Sequence, residues 1–255
     1  MILLTNDDGI FAPGLAALRD ALSQVDDVVV VAPDIERSGA AHSITVHLPL
    51  RVRKINWDQH HLGYAVSGSP ADCVKIAVRE LLERTPDFVI SGINYGGNVG
   101  INVLYSGTVA GALEGAMFAL PSMACSLEYT EEANFHAAAE IVCKIYAHFK
   151  QREIPPGTLL NVNIPAIPPD RLKGVRITRM SRSVYNEKFD KRYDPRGDAY
   201  YWIDGYFKDT DSVEGTDAYA VANGYVSVTP LHYDLTDYKL LQALGGAGSE
   251  AENVL

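Results

Sequence analysis

Short apolar runs alternate with amphipathic stretches along the first two thirds of the chain. Residues 1–5, 27–32 (DVVVVA), 87–91 (DFVIS), 122–127 and 159–164 (LLNVNI) are each too short for a helix and apolar on both faces. That pattern predicts strands of a parallel sheet buried on both sides. Leu15, Leu18 and Leu22 recur at helical spacing after Pro13-Gly14. Ser69-Pro70 opens a second predicted helix, with Ser as N-cap, Pro in the first turn and Asp72 near the positive end. This helix is expected to run to about Arg84. Residues 108–120 predict a small-residue helix able to pack close to a neighbour. Phe135, Ala138, Val142, Ile145 and Phe149 mark a further amphipathic one. Residues 46–55 and 62–67 read as an antiparallel pair attached to the sheet. Strand and helix in alternation place the chain in the α/β class.

Past Pro165 the alternation loosens. Residues 181–212 mix Tyr185, Phe189, Tyr193, Tyr200, Tyr201, Trp202, Tyr206 and Phe207 with many charges and few aliphatics. That is poor core material and predicts a projecting arm. A short helix over 213–223 and a last strand over 225–229 follow. The expected organisation is a core over 1–180, the arm over 181–212, and a segment 213–244 returning to the core or to a neighbouring subunit. The Gly-, Ala- and Glu-rich tail 245–255 is expected to be disordered.

Composition narrows the partners. A net charge of −10 over 255 residues argues against a nucleic-acid polymer. It does not exclude a small phosphate compound, because a bound cation reverses the local field. Cys73, Cys125 and Cys143 are scattered, with no CxxC spacing, so buried reduced thiols are expected rather than a zinc site or a disulfide framework. Asp7 and Asp8 interrupt the amino terminus before a signal-peptide core could form, and no apolar run is long enough to span a bilayer. A cytoplasmic protein without membrane contact is expected.

Three polar clusters follow predicted strands: Thr5-Asn6-Asp7-Asp8-Gly9, Ser38-Gly39, and Ser91-Gly92-Ile93-Asn94. In open α/β sheets ligands bind at the carboxyl ends of the strands. Adjacent carboxylates repel unless a cation or hydrogen bonds compensate them. Asn-Asp-Asp-Gly is also good turn chemistry, and Ser38 or Asn94 alone would signify little. Together, Asp7, Asp8, Ser38 and Asn94 form an all-oxygen set suited to Mg²⁺ or Mn²⁺. The loop after residue 91 carries Gly92, Gly96, Gly97 and Gly100 with Asn94, Asn98 and Asn102, residues that tolerate tight bends. Ser106-Gly107-Thr108 stands directly ahead of the small-residue helix, where unpaired N–H groups make a candidate phosphate cradle; ordinary capping is the alternative. A Walker loop, a GxGxxG fingerprint and a GxSxG elbow are all absent from the sequence. His42 beside Ser38 reads as a solvated loop residue, His60-His61 as part of an exposed hairpin turn, and His232 as near either the site or a subunit contact.

The stretches LLTNDDG (3–9), Ala12-Pro13-Gly14, Ala32-Pro33-Asp34 with Arg37-Ser38-Gly39, GSPADCV (68–74), SGINYGGNVG (91–100), YSGTV (105–109), LNVNIP (160–165) and GYVSVTPL (224–231) resemble, in order, the SurE family of metal-dependent 5′/3′-nucleotidases. The resemblance implies a Rossmann-like three-layer α/β/α sandwich with a mixed sheet, and a carboxyl-terminal part exchanged between subunits of a homodimer or homotetramer. It implies one divalent cation per subunit on Asp7, Asp8, Ser38 and Asn94, and a phosphate pocket at Ser106, Gly107 and Thr108. The family pattern has an aspartate where this chain has Asn102, and an asparagine-containing version of Ala41-His42-Ser43.

The expected reaction is hydrolysis of nucleoside monophosphates to nucleoside and phosphate. Asp7 and Asp8 serve catalysis through the cation, and Asn98 adds a donor to the substrate. Water activated by the cation is the expected attacking group, with direct attack by Asp7 or Asp8 as the alternative. Two other readings are a haloacid-dehalogenase-type phosphatase, which would want Asp-x-Asp, and a non-catalytic metal and nucleotide sensor. Because the metal ligands lie on other loops, a substitution at Gly107 is expected to spare metal affinity.

Overall fold

The computed structural model describes residues 1–57, 62–182, 184–208, 211 and 213–248. Its strands are β1 (Ile2–Thr5), β2 (Val28–Pro33), β3 (Val52–Asn56), β4 (Leu62–Val66), β5 (Phe88–Tyr95), β6 (Ser122–Leu127), β7 (Thr158–Ile164), β8 (Val175–Ile177), β9 (Val184–Tyr193), β10 (Ala199–Lys208) and β11 (Val226–His232). One mixed sheet has the order β3-β4-β2-β1-β5-β6-β7-β11-β8, and β9 and β10 form a separate hairpin. The run from β4 to β7 is parallel; β3 and β11 pair antiparallel to it, and β8 lies parallel to β11.

Period-two alternation sends the apolar runs to both faces. Ile2, Leu4, Val30, Phe88 and Ile90 face α1 (Pro13–Leu22) and α4 (Phe135–Phe149). Leu15, Leu18 and Leu22 of α1 and Ala138, Val142 and Ile145 of α4 are buried against them. Each fully buried Leu there contributes roughly 1.5–3 kcal/mol. Leu3, Val29, Val31 and Val89 point the other way, toward Cys73 and Val74 of α2 (Pro70–Ile76). The third helix, α3 (Gly107–Met117), lies on that second face beside α2 and places Val109, Ala112 and Ala116 against Ala124 and Leu159. Its Gly111 has no room for a side chain: an added Cβ would stand 2.9 Å from both Ser91 Oγ and Thr5 Cγ2. The three-layer α/β/α arrangement expected above is present.

Several boundaries differ from the sequence reading. The helix opened by Ser69 has the capping box, with Ser69 Oγ accepting from Asp72 N at 3.1 Å and Asp72 Oδ2 accepting from Ser69 N at 2.9 Å. It does not reach Arg84. It loosens into a wider turn over Ala77–Leu81, and Leu82 leaves in extended conformation. Pro86 disfavours helix in the residue before it, so the chain must straighten ahead of β5. Residues 92–95, read as loop, belong to β5, because they regain pairing with β6 after an irregularity between Ser91 and Asn94. Of the helix expected over 213–223 only α5 (Asp217–Ala222) forms; β8 and α6 (Tyr238–Ala243) were not anticipated.

A candidate metal and phosphate site

β1 is flanked by β2 on one side and β5 on the other, so the chain order reverses at β1. That reversal opens a crevice at the carboxyl ends of the strands. Asp7 and Asp8 follow β1 directly, Ser38 lies in the loop after β2, and Asn94 sits near the end of β5. All four line one cleft of about 470 Å³, together with Glu36, Tyr95, Asn98, Asn102 and Ser106.

Local hydrogen bonds hold these residues in place. Asn6 Nδ2 donates to Gly9 O at 2.9 Å, closing the turn that carries both aspartates. Arg37 N donates to Asp7 O at 2.7 Å, tying the Ser38 loop to β1. The irregularity in the β5–β6 ladder re-aims Asn94 toward the cleft. Asn94 Nδ2 donates to Gly96 O at 2.7 Å, which assigns its amide oxygen to any ligand duty.

The electrostatics are those of uncompensated negative charge. Burial raises the pKa of Asp7, against the opposing hydrogen bond from the Thr108 hydroxyl. Burial and the neighbouring charge of Asp7 push Asp8 up to about 6. Glu36 adds to both effects. Among the described residues neither aspartate forms a salt bridge. Ser38 Oγ donates to Glu36 Oε1 at 2.6 Å, so its lone pairs are not used by that bond. Two carboxylates, a hydroxyl and an amide oxygen around unneutralised charge fit a hard divalent cation that keeps part of its water. No group of three or more His, Cys, Asp or Glu side chains with metal-binding geometry occurs among the described residues.

Ser106 is the N-cap of α3: its Oγ accepts from Val109 N at 3.1 Å. Capping does not preclude the cradle role at this residue, since Ser106 also lines the cleft and its hydroxyl keeps a proton to donate. Thr108 is fully buried and its hydroxyl donates to Asp7 Oδ1. Its side chain is committed to the aspartate, and its backbone N–H also faces the Asp7 carboxylate and favours its charged form. An added Cβ on Gly107 would stand 2.8 Å from Asp7 Cβ and 2.9 Å from Asp7 Oδ2. This corrects the expectation that the Gly107 loop is separate from the metal ligands: the cradle is packed on Asp7.

Asn98 reaches the cleft, but its Nδ2 donates to Ser126 Oγ at 2.8 Å, so the amide is engaged in the wall. Its main chain is held by Asn163 Oδ1, which accepts from Asn98 N at 2.7 Å, and by Asn161 Nδ2, which donates to Asn98 O at 2.8 Å. These two asparagines of β7 were missed, although polar residues alternating through an otherwise buried strand are a legible signal. Glu36 was missed too; beside Ser38 it reads as an ordinary loop acid. His42 is not a solvated loop residue. Its Nε2 lies 2.8 Å from Glu114 Oε2, and Lys75 Nζ reaches Glu114 Oε1 at 2.5 Å, so buried Glu114 of α3 gathers the Ser38 loop and α2. His232 stacks on Tyr233 and shares a second pocket with Ser106. His60 and His61 lie outside the described residues.

Residues 2–187 match the family model described as Survival protein SurE. The chain is 47% identical over 244 residues to a 5′-nucleotidase SurE of Syntrophobacter fumaroxidans, covering 96% of this chain and 98% of that protein. It is 49% identical to a 5′-nucleotidase SurE of Heliobacterium modesticaldum, covering 97% and 93%. A crystal structure of the SurE protein from Aquifex aeolicus superposes with a TM-score of 0.83 at 45% identity, covering 95% of this chain and 97% of the other. With an ordered NDDG turn, a bulged SGIN strand end and matches running almost end to end, the chain belongs to the SurE family.

Proposed function

We propose that this protein is a divalent-metal-dependent phosphatase that hydrolyses nucleoside monophosphates to nucleoside and phosphate, a 5′/3′-nucleotidase. The observation that carries the reading is the junction of Asp7 with Thr108. A buried carboxylate of an all-oxygen donor set is hydrogen-bonded to the first turn of the helix whose amino terminus opens into the same cleft. A cation and backbone donors each stabilise the charge on a phosphomonoester's non-bridging oxygens. Relatives that share almost the full length carry the name 5′-nucleotidase.

In this reading Asp7, Asp8, Ser38 and Asn94 hold one Mg²⁺ or Mn²⁺ per subunit. The cation, when bound, supplies Lewis-acid polarisation of the phosphoryl group and neutralises its charge. Asp7 is kept in a single orientation by the Thr108 hydroxyl. The Ser106 hydroxyl and the Gly107 N–H receive the phosphoryl oxygens at the positive end of α3, and Thr108 serves the pocket by holding Asp7. Asn98 shapes the wall and contributes through its position rather than as a free donor. Direct attack by Asp7 is disfavoured because Asp7 is 5% exposed and bonded to Thr108.

The same proposal extends to assembly and place. The hairpin of β9 and β10 joins two or four copies. Unpaired Cys73, Cys125 and Cys143 suit the reducing cytoplasm. No helix among the described residues is long and apolar enough to cross a membrane.

The test is a phosphate-release screen over nucleoside 5′- and 3′-monophosphates with Mg²⁺, Mn²⁺ or Co²⁺ and with chelator. Cation-dependent release is expected. Nucleotide binding without turnover would support a sensor instead. A trapped phospho-aspartate would support the aspartyl-phosphate route.

A further inference from the structure

Tyr95 stands next to Asn94 at the end of β5, and its side chain lines the cleft that holds Asp7 and Asp8. Its main-chain N–H faces Asp8 closely enough to favour that carboxylate's charged form, so this one residue adjoins a candidate metal ligand and carries an aromatic ring to the rim. Tyr95 is 39% exposed, in spite of three contacts that fix its ring. Tyr129 packs at 4.8 Å between ring centroids, Phe135 meets it edge-on at 5.8 Å, and Tyr95 Oη donates to the carbonyl of Thr130. A solvent-exposed aromatic ring held on several sides has little conformational freedom left to lose when a ligand covers it. The cleft's other exposed aromatic, Tyr105, is 59% exposed and sits at the end of the turn Gly100–Leu104.

We infer that Tyr95 is the platform on which the substrate's base stacks, and so the residue that makes this phosphatase prefer nucleotides over other phosphomonoesters. The inference rests on the nucleotidase reading above and deepens it. A nucleoside monophosphate separates its phosphoryl group from its base by one ribose. With the phosphoryl group at Asp8 and Ser106, the base reaches the rim where Tyr95 lies. Stacking on an aromatic face tolerates every base, because every base has a π-face. The platform therefore selects for the presence of a base rather than its identity.

The experiment compares kcat/KM for AMP and for ribose 5-phosphate, with Mn²⁺, in wild type, Tyr95→Ala, Tyr95→Phe and Tyr105→Ala. The AMP to ribose 5-phosphate ratio should fall roughly 10-fold in Tyr95→Ala, chiefly through KM for AMP. It should be retained in Tyr95→Phe, which keeps the ring and loses the bond to Thr130. If the alanine variant does not fold, Tyr95→Leu replaces it, with the same fall expected. An unchanged ratio in Tyr95→Ala, an equal fall in Tyr95→Phe, or a fall in Tyr105→Ala alone would overturn the inference. Wild type that hydrolyses ribose 5-phosphate with no preference for AMP overturns the stacking and leaves the phosphatase standing. Wild type inactive on both overturns the nucleotidase reading, and this inference with it.

Discussion

Asp7 sits at the centre of the site because three different segments touch it. The Ser38 loop reaches its carbonyl through Arg37 N, α3 reaches its carboxylate through Thr108, and Gly107 packs on its Cβ. Asp8 is the more exposed of the two, and among the described residues only the Tyr95 main-chain N–H favours its charge, so it is the cleaner probe of the cation. Replacing Asp8 with Asn removes a charge that an amide cannot replace at a hard cation. Asp8→Asn is expected to lose cation-dependent phosphate release while its circular dichroism stays at wild-type values and its melting temperature without metal rises, since a buried charge repelled by Asp7 is gone. Wild type should gain melting temperature with Mn²⁺ through mass action, and the variant should not. Undiminished release by the purified variant would refute the ligand assignment. Gly107→Val has a different expected signature. Its side chain must displace Asp7 as well as block the approach to the cradle. Release should fall on the order of 10²–10³, as for loss of an oxyanion donor, and Mn²⁺ affinity measured by titration should fall with it. Normal Mn²⁺ affinity in that variant would show that the Asp7 contact relaxes without consequence.

At the scale of elements, legibility followed burial. Residues 27–32 and 122–127 could be read as strands because both faces are covered, and α4 because one stripe is. β8 spans three residues at the sheet edge, with Val175 and Ile177 more than half exposed, and α6 buries none of its side chains. Neither has a periodicity that burial would impose. Asp7, Asp8 and Asn94 were legible because strand ends announce themselves. The bond from Thr108 to Asp7 was not, because it depends on α3 packing beside β1, and only Gly111 hints at that approach. The link of Asp26 to α4 was equally hidden. Asp26, ahead of β2, accepts from Tyr146 Oη at 2.8 Å and Lys150 Nζ at 2.5 Å, and pairs with the amino terminus at 3.3 Å. Burial works to raise its pKa, but these donors outweigh burial and hold it well below the usual carboxylate range. A carboxyl with a depressed folded-state pKa stabilises fully above its unfolded value, and the contribution is lost as pH falls through the folded one. Asp26→Asn should therefore cost on the order of 1–2 kcal/mol at neutral pH, given the partial exposure of Lys150. The gap to wild type in urea melts should narrow below about pH 4. A gap that is constant from neutral to acid pH would mean that packing, not charge, is what Asp26 supplies.

At the scale of the whole molecule, the β9–β10 hairpin is the feature on which the proposed assembly rests. A two-stranded hairpin is marginal by itself in water. This one pairs from Val184↔Lys208 to Tyr193↔Ala199 and exposes Phe189, Tyr193, Tyr201, Trp202 and Ile203 by more than half. Aromatic side chains in that number are enriched at protein interfaces, and contiguous apolar patches are uncommon on monomers. Its root is built firmly: buried Asp217 accepts from Ser181 N at 2.8 Å and from Gly100 N at 3.0 Å, so the same carboxylate steadies the arm and the cleft loop. The arm is thus anchored at its base and exposes its aromatic side chains over 189–203, which is why the proposed assembly role is tested there. Because Val184 and Lys208 are register partners, residues 185–207 can be removed and the ends rejoined through two glycines without disturbing Asp217. The shortened protein is expected to keep the wild-type far-ultraviolet spectrum of its core and to run in multi-angle light scattering as a smaller species than wild type. Its specific activity should stay within a few-fold of wild type if the cleft is complete within one chain. A shortened protein with the same number of chains per particle as wild type would show that the hairpin serves some purpose other than assembly.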